Sequence, residues 1–578
     1  MSRIIADNII SPLGATTQAN YQAVKASKSA LCHYNGGKKG YIGMSDINVP
    51  FPFTASLFSD EQRKSFCIEG FTLFESLAIT SVRKALEASQ IPLDQRTCLV
   101  ISSTKQNVGQ PARDEKQGDG DKNTAQRIAQ AVGVTTTPII VCNACISGVS
   151  ALILGNRLIE MQQYDYVIVC GIDLQSSFII SGFQSLKALS EDNCRPFDID
   201  RTGLNLGEAA ATVILGKGNQ KDGWFITGSA IRNDAFHISN PSPKADGCLM
   251  TIEAATAEQD TRRLSVINAH GTATLYNDQM EARGISRAEL ADVPTNALKG
   301  YYGHTMGAAG ILETIITMHG IDHQTIIGTK GYDELGVSGN INIVRNNTST
   351  TKTDFLKIIS GFGGCNAAIY LSKRPVPSSQ GNADSGVTTH TVLITPQKVM
   401  LDNEETDIGQ QTGKALLTYL YKTRIQDYPK FYKMDALARL GFVATELLLQ
   451  KEQKAGNKEQ KTKGERAVIF FNESSSVNAD KAFLSTIADP ENFYPSPSAF
   501  VYTLPNIVNG EIAIRNNYHG ETAFYILPRK DDETMRMITQ ATLFDSFHSS
   551  IITGWLECKT EEDFHAEVKI VERLAKLF

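Results

Sequence analysis

Short apolar runs alternate along this chain with longer stretches of helical periodicity. Residues 97–102, 137–140 and 166–170 are apolar runs closed by turn signals, the pattern of strands buried on both faces. Residues 73–88 place Leu73, Leu77, Val82, Ala85 and Leu86 on one side of a predicted amphipathic helix. Further helices are predicted over 16–26, 124–132 and 149–161, and residues 3–13 read as a strand entering a turn. Residues 32–59 and 105–122 are irregular or Gly-rich and read as loops. The rhythm repeats later, with strands predicted at 209–215, 265–269, 355–360 and 367–371 and a helix at 311–318. Strands alternating with helices predict a layered α/β fold.

Residues 374–390, with Pro375, Pro377 and Gly381, predict a linker. Residues 391–578 then form a further α/β unit, interrupted at 451–463 by a charged low-complexity stretch expected to be disordered. This tail echoes the start of the chain. Residues 434–444 match the helix at 73–88, residues 467–472 match the strand at 97–102, and residues 520–527 match the strand that leads to Cys145. Where the cysteine would follow, the tail has Pro528, Arg529 and Lys530.

Composition narrows the function classes. The chain has 578 residues, 42% hydrophobic and 20% charged, with a net charge of −6. That suits a globular protein of roughly three or four compact units. It gives no general reason to expect nucleic acid, although local basic patches would suit an acidic protein partner. The N-terminus lacks a signal-peptide apolar region, and no run is long enough to span a bilayer. Ten cysteines without a framework pattern point to a reducing cytoplasm.

Candidate chemistry gathers in turns after buried strands. Cys145, in Val141-Cys142-Asn143-Ala144-Cys145-Ile146-Ser147-Gly148, sits where a strand passes into a helix, so unpaired N–H groups and the helix dipole are expected to favour its thiolate. Cys142 and Cys145 also form a C-x-x-C, and a thioredoxin-like redox pair is the rival reading; zinc would need a second ligand pair of like spacing, which is absent. His270 lies in Asn268-Ala269-His270-Gly271-Thr272-Ala273-Thr274, followed by Asp278 and Glu281. His304 lies in Lys299-Gly300-Tyr301-Tyr302-Gly303-His304, followed by Gly307 and Gly310. Ser360-Gly361-Phe362-Gly363-Gly364-Cys365-Asn366 is a glycine run that lets backbone N–H groups approach a ligand. His319 and His323 have metal-like spacing, but the helix is read as ending at Gly320, so no metal is predicted. Glu208 is expected in a buried structural ion pair with Arg201 or beside Asp198.

Taken together, the Cys145 turn, Arg195-Pro196-Phe197-Asp198-Ile199-Asp200-Arg201 with Gly207-Glu208, the His270 turn, the Lys299–Gly310 run and Gly361–Gly364 resemble the β-ketoacyl synthases of the thiolase superfamily. The five pieces occur in the family's order over residues 1–373. The resemblance implies a thiolase-like layered αβαβα fold, with an N-terminal half at 1–215 carrying the nucleophile and a C-terminal half at 216–373 carrying both histidines. It implies that Cys145 takes an acyl group from an acyl carrier protein and that His270 and His304 donate to a thioester carbonyl. It also implies oxyanion donors on the backbone of Cys145 and Phe362, a Lys299–Glu281 pair that orients the site, and Thr272 and Thr274 on the phosphopantetheine arm. No cofactor of its own is expected. Departures from the family are Gly207-Glu208-Ala209-Ala210, Ile358-Ile359-Ser360, Cys365 and Leu204; they bear on the acyl pocket and its gating.

Residues 391–578 resemble the N-terminal half of a second ketosynthase without its cysteine, one that packs as a pseudo-partner or shapes the acyl tunnel. The function implied is condensation of a carrier-bound acyl group with malonyl-carrier protein, in fatty-acid or polyketide synthesis, possible pathways including aryl-polyene or flexirubin-type pigments. The expected assembly is a homodimer, or a pseudo-dimer built with the tail, with a second ketosynthase-like subunit as a further possibility. The alternatives are a non-catalytic chain-length factor and a carrier-binding scaffold.

Overall fold

A computed structural model describes residues 2–35, 47–107, 123–218, 222–375, 386–454, 464–489 and 491–574. Most of the 105–122 loop, the body of the 374–390 linker and residues 455–463 of the charged stretch lie outside them. The described part of that stretch, 451–454, continues a helix. The chain forms two compact units. The first comprises Met1–Ala230, Pro241–Gly361 and Asn366–Ser378; the second comprises Ile231–Asn240, Phe362–Cys365 and Ser379–Phe578.

In the first unit, strands β1 (Ser2–Ile10), β2 (Thr97–Ser102), β3 (Ile139–Val141), β4 (Tyr166–Asp173) and β5 (Ala209–Lys217) form one sheet. β2 is central, with β3 and β4 parallel on either side. β5 runs antiparallel to β4, and β1 antiparallel to β5. Every residue of β2 is buried, as a parallel strand covered on both faces requires. Helix α1 (Leu73–Ser89) starts at a capping box, in which Thr72 accepts from Glu75 N–H and Glu75 accepts from Thr72 N–H. Helix α2 (Ser147–Glu160) leaves the Cys145 turn and is buried over nearly its whole length.

A second set of strands follows. β6 (Trp224–Asn233) was not foreseen from the sequence. β7 (Leu264–Asn268) pairs in parallel with Thr295–Asn296 and with β8 (Asp354–Gly361), and β9 (Cys365–Ser372) comes next. Helices α3 (Leu275–Arg287) and α4 (Ala309–Asp322) follow the two histidine turns. Helix α4 runs past Gly320, contrary to the predicted end. His319 lies 3.1 Å from Asp7, and His323 stacks on Tyr21 with centroids 4.7 Å apart, so both have structural partners.

The second unit contains β10 (Gly386–Thr395), helix α5 (Ala436–Lys454), β11 (Ala467–Asn472), β12 (Thr522–Ile526), helix α6 (Asp532–Leu543), β13 (Ser550–Thr560) and β14 (Asp563–Arg573). Here β11 is central, with β12 and β13 parallel beside it. β14 is antiparallel to β13, and β10 to β14. Two short segments from the first part of the sequence pack in this unit. Gly363 N–H donates to Ile238 O at 2.7 Å, and Asn233 Nδ2 donates to Thr522 Oγ1 at 3.0 Å. No described helix is long and apolar enough to cross a membrane.

Candidate active site

The Cys145 turn is built under strain. Ala144 takes a left-handed φ of 48°, and a single 3-10 turn, Ala144–Ile146, leads into α2. A non-glycine residue pays for that conformation, which persists where surrounding structure fixes it. Ser147 supplies part of that fixing: Asn143 N–H donates to its Oγ at 2.8 Å, and the Oγ donates to Ala144 O at 2.6 Å. A Cβ on Gly148 would stand 2.9 Å from Gly307 O, so only glycine lets α2 approach the turn that follows His304 so closely.

His304 comes off a Gly303 with φ of 65°, and its own N–H donates to Asn205 O at 2.7 Å. Its Nδ1 accepts from Met306 N–H at 3.3 Å, which assigns the imidazole proton to Nε2. That Nε2 lies 3.0 Å from Cys145 Sγ. The His270 ring stands edge-on to the His304 ring, with centroids 5.0 Å apart. Cys145, His270 and His304 each bring one ring nitrogen or sulfur within 4.8 Å of the others. His270 Nδ1 is buried without a hydrogen-bond partner.

Burial sets the charge states. It pushes the Cys145 thiol up to about 12, with Lys299 pulling the other way. In the resting site burial is the largest influence on this thiol and favours its protonated form, against the thiolate expected from the strand-to-helix turn. Burial, and then the Lys299 cation, hold both imidazoles well below their usual range, so they are neutral N–H donors near pH 7.

The predicted Lys299–Glu281 pair is corrected by the structure. Lys299 Nζ lies 2.7 Å from Glu313 Oε1 and donates to His270 O at 2.6 Å. Glu281 instead accepts the N–H groups of His270 at 2.6 Å and Gly271 at 2.7 Å. The reason is directional. Glu281 sits on α3, which starts just after the His270 turn and points this carboxylate back at the turn's amides, whereas Glu313 on α4 faces the lysine. Glu208 is also re-paired, with Arg63 at 2.6 Å, while Asp198 pairs with Arg195 at 2.9 Å. The Thr272 and Thr274 hydroxyls lie 2.8 Å apart, at the start of α3.

Three further residues of the site carry no motif signal in the sequence. Glu313 is the first. Lys357 is the second, with its ammonium on the other oxygen of Glu313. Asp173, at the end of β4, is the third: it accepts from Gly307 N–H at 2.7 Å, from Ser103 Oγ at 2.7 Å and from Thr104 Oγ1 at 2.9 Å, tying the His304 loop to the sheet. Cys142 faces away into the turn, its Sγ 3.5 Å from Thr104 O, and all ten cysteines are free thiols. Phe362 belongs to the second unit, where Asn506 Nδ2 donates to its carbonyl at 2.9 Å.

Two family models match the chain: the β-ketoacyl synthase N-terminal domain over residues 43–221 and the β-ketoacyl synthase C-terminal domain over 225–333. The ketoacyl synthase alpha subunit of the tetracenomycin polyketide synthase of Streptomyces glaucescens is 32% identical, covering 43% of this chain and 63% of that one. That match spans less than two thirds of the relative. 3-Oxoacyl-[acyl-carrier-protein] synthase 2 of Coxiella burnetii is 27% identical, covering 63% of this chain and 96% of that one. Among solved structures, a PfaC keto synthase–chain length factor covers 100% of this chain and 79% of its own, with a TM-score of 0.74 at 14% identity. A ketosynthase in complex with its acyl-carrier protein, AntDE:AntF, covers 65% of this chain with a TM-score of 0.57 at 18% identity. The likenesses to solved structures show the fold, which is thiolase-like.

Proposed function

This chain belongs to the β-ketoacyl synthase family of the thiolase superfamily, and on that premise we propose that it condenses a carrier-bound acyl group with malonyl-carrier protein, releasing CO₂. The observation that carries the reading is the 3.0 Å contact of His304 Nε2 with Cys145 Sγ, beside the second buried imidazole, His270.

The proposed steps use these groups in turn. Cys145 sulfur attacks the acyl thioester; the carrier leaves as its thiol, taking up the proton that Cys145 gives up. The acyl group then sits on Cys145 in place of the thiol proton. The malonyl thioester carbonyl takes N–H bonds from His270 and His304, which stabilise the enolate left when CO₂ departs. The enolate carbon attacks the acyl-Cys145 carbonyl, with backbone N–H groups of Cys145 and Phe362 as the proposed donors to the oxyanion. Collapse expels the Cys145 thiolate and leaves a β-ketoacyl thioester on the carrier. Thr272 and Thr274 are the proposed contacts of the phosphopantetheine arm, which arrives on the carrier, so the chain supplies no cofactor of its own.

For the second unit we propose a half-synthase that has lost its chemistry. Its strand order supports this, as does its Pro528-Arg529-Lys530 turn. The reading makes it a pseudo-partner in place of a second copy, in a cytoplasmic protein of fatty-acid or polyketide synthesis, aryl-polyene or flexirubin-type pigments included. A monomer in light scattering is expected; a homodimer through the catalytic unit would count against the pseudo-partner.

The test is intact-protein mass spectrometry after mixing wild type and Cys145→Ala with a panel of acyl-carrier proteins. The expected result is an acyl adduct on wild type and none on the variant. No adduct from any donor would move the assignment to a non-catalytic chain-length factor or carrier-binding scaffold.

A further inference from the structure

Strand β8 holds a cation inside the core. Lys357 is fully buried, between Leu356 and Ile358 on a strand whose first six residues are all buried. A buried lysine is rare unless it is paired. Here the pairing is shared. Glu313 carries one negative charge, and its two oxygens take two ammonium groups, Lys299 on Oε1 and Lys357 on Oε2. The two lysines also hold successive carbonyls of the histidine turn: Lys357 Nζ donates to Ala269 O at 3.3 Å, and Lys299 Nζ to His270 O at 2.6 Å.

With both lysines protonated, this cluster keeps one net positive charge beneath the two imidazoles. The other titratable groups facing it are Glu281 from α3, whose carboxyl burial pushes up to about 7, and the neutral rings of His270 and His304. Burial, opposed by Glu313, brings the Lys357 ammonium down to about 8, so its charge is present at neutral pH and is given up in mild base.

We propose that Lys357 is a second positioning cation of the condensing centre, gripping the His270 turn and adding its positive charge to that of Lys299 beside the anions formed there. Those anions are the Cys145 thiolate, the enolate and the tetrahedral oxyanion. The inference rests on the condensation reading for its catalytic benefit, but its effect on Cys145 does not depend on the substrate.

The experiment measures iodoacetamide alkylation of Cys145 against pH in wild type, Lys357→Met and Lys357→Arg. Methionine keeps most of the volume and removes the charge. In Lys357→Met the alkylation rate is expected to be roughly ten-fold lower than wild type below pH 8 and to converge on it above, where wild-type Lys357 has also given up its charge. The acid limb of malonyl decarboxylation is expected to move up, because the imidazoles protonate more readily without the cation. Lys357→Arg is expected to keep the wild-type rate below pH 8 and, because its guanidinium holds its proton, to show no flattening above it. A folded Lys357→Met with an unshifted profile, or with a rate lowered equally at every pH, overturns the proposal. Should Lys357→Met not fold, wild type decides: log rate against pH is expected to flatten near pH 8 as Lys357 loses its proton, and a uniform unit slope through that range overturns the role. Absence of an acyl adduct together with a shifted alkylation profile would sink the condensation reading and leave the charge role standing.

Discussion

Strands β1–β5 and strands β10–β14 run in one order and in the same directions. In each set a central strand has two parallel neighbours, followed by two antiparallel additions, the last being the first strand in sequence. Even the irregularity recurs, between Ile4 and Ala6 in one edge pairing and between Thr388 and His390 in the other. The difference lies in the turns. After β3 the chain spends Cys142 to Ile146 on a strained elbow that presents a thiol; after β12 it passes through Pro528 and Arg529 to an ordinary helix start capped by Asp531. Burying apolar strands fixes the sheet, and the chemistry is a separate property of a few turn residues.

The sharpest way to break that comparison is to move the cysteine. Cys145→Ala is expected to abolish the acyl adduct, and Arg529→Cys to gain none, since its turn carries no imidazole; an adduct at residue 529 would show that position in the sheet suffices. Next in size, His304→Ala is expected to slow condensation about 10²–10³-fold, the loss typical of one oxyanion donor, with the melting temperature little changed. A third test treats the sheets as equals. Leu99→Ala is expected to cost about 2–5 kcal/mol and Phe470→Ala about 3–5 kcal/mol in urea unfolding, because both are buried on central strands.

The smallest effect is a difference in sign between two buried carboxyls. Asp198 in the first unit is held down to about 2, where Arg195 and the backbone N–H groups of Asp200, Asp333 and Glu334 outweigh the opposing effect of its burial. Its contribution, about 2 kcal/mol by linkage, is present above its unfolded pKa and is lost as pH falls toward 2, so the stability gap to Asp198→Asn is expected to close in acid. Glu511 in the second unit is raised by burial, although Tyr502 and Tyr428 donate to it. Its protonated form is favoured in the fold, so Glu511→Gln is expected to gain on wild type as pH rises. Parallel pH trends in the two variants would contradict the assignment.

Much of this was legible in the sequence. The strands at 97–102 and 467–472 were predicted to the residue, because parallel strands buried on both faces read as unbroken apolar runs. The β13–β14 hairpin was not, since half-exposed strands such as Asp563–Arg573 mix charged and apolar residues. Cys145, His270, His304 and Lys299 were readable because reactive residue types stand in glycine-rich turns. Glu313 and Lys357 were not, because each lies inside an apolar run, Ile311 to Ile316 and Phe355 to Ile359, where periodicity reports only core. The signal was there in another form: a lone charge in the middle of a buried run calls for a partner, and each of these two is the other's. The thiolate expectation left burial out of account, and burial is the largest influence on the Cys145 thiol and favours its protonated form.

One short turn has a historical consequence. In the first unit, residues 174–208 connect β4 to β5, and they carry Asn205, which holds His304, and the turn around Asp198. In the second unit the same connection is Glu561 and Glu562 alone. On the half-synthase proposal, a cysteine can be restored by point mutation, but a segment that seats the histidine cannot. The short connection then acts as a ratchet, leaving the second sheet to serve as a surface and a scaffold.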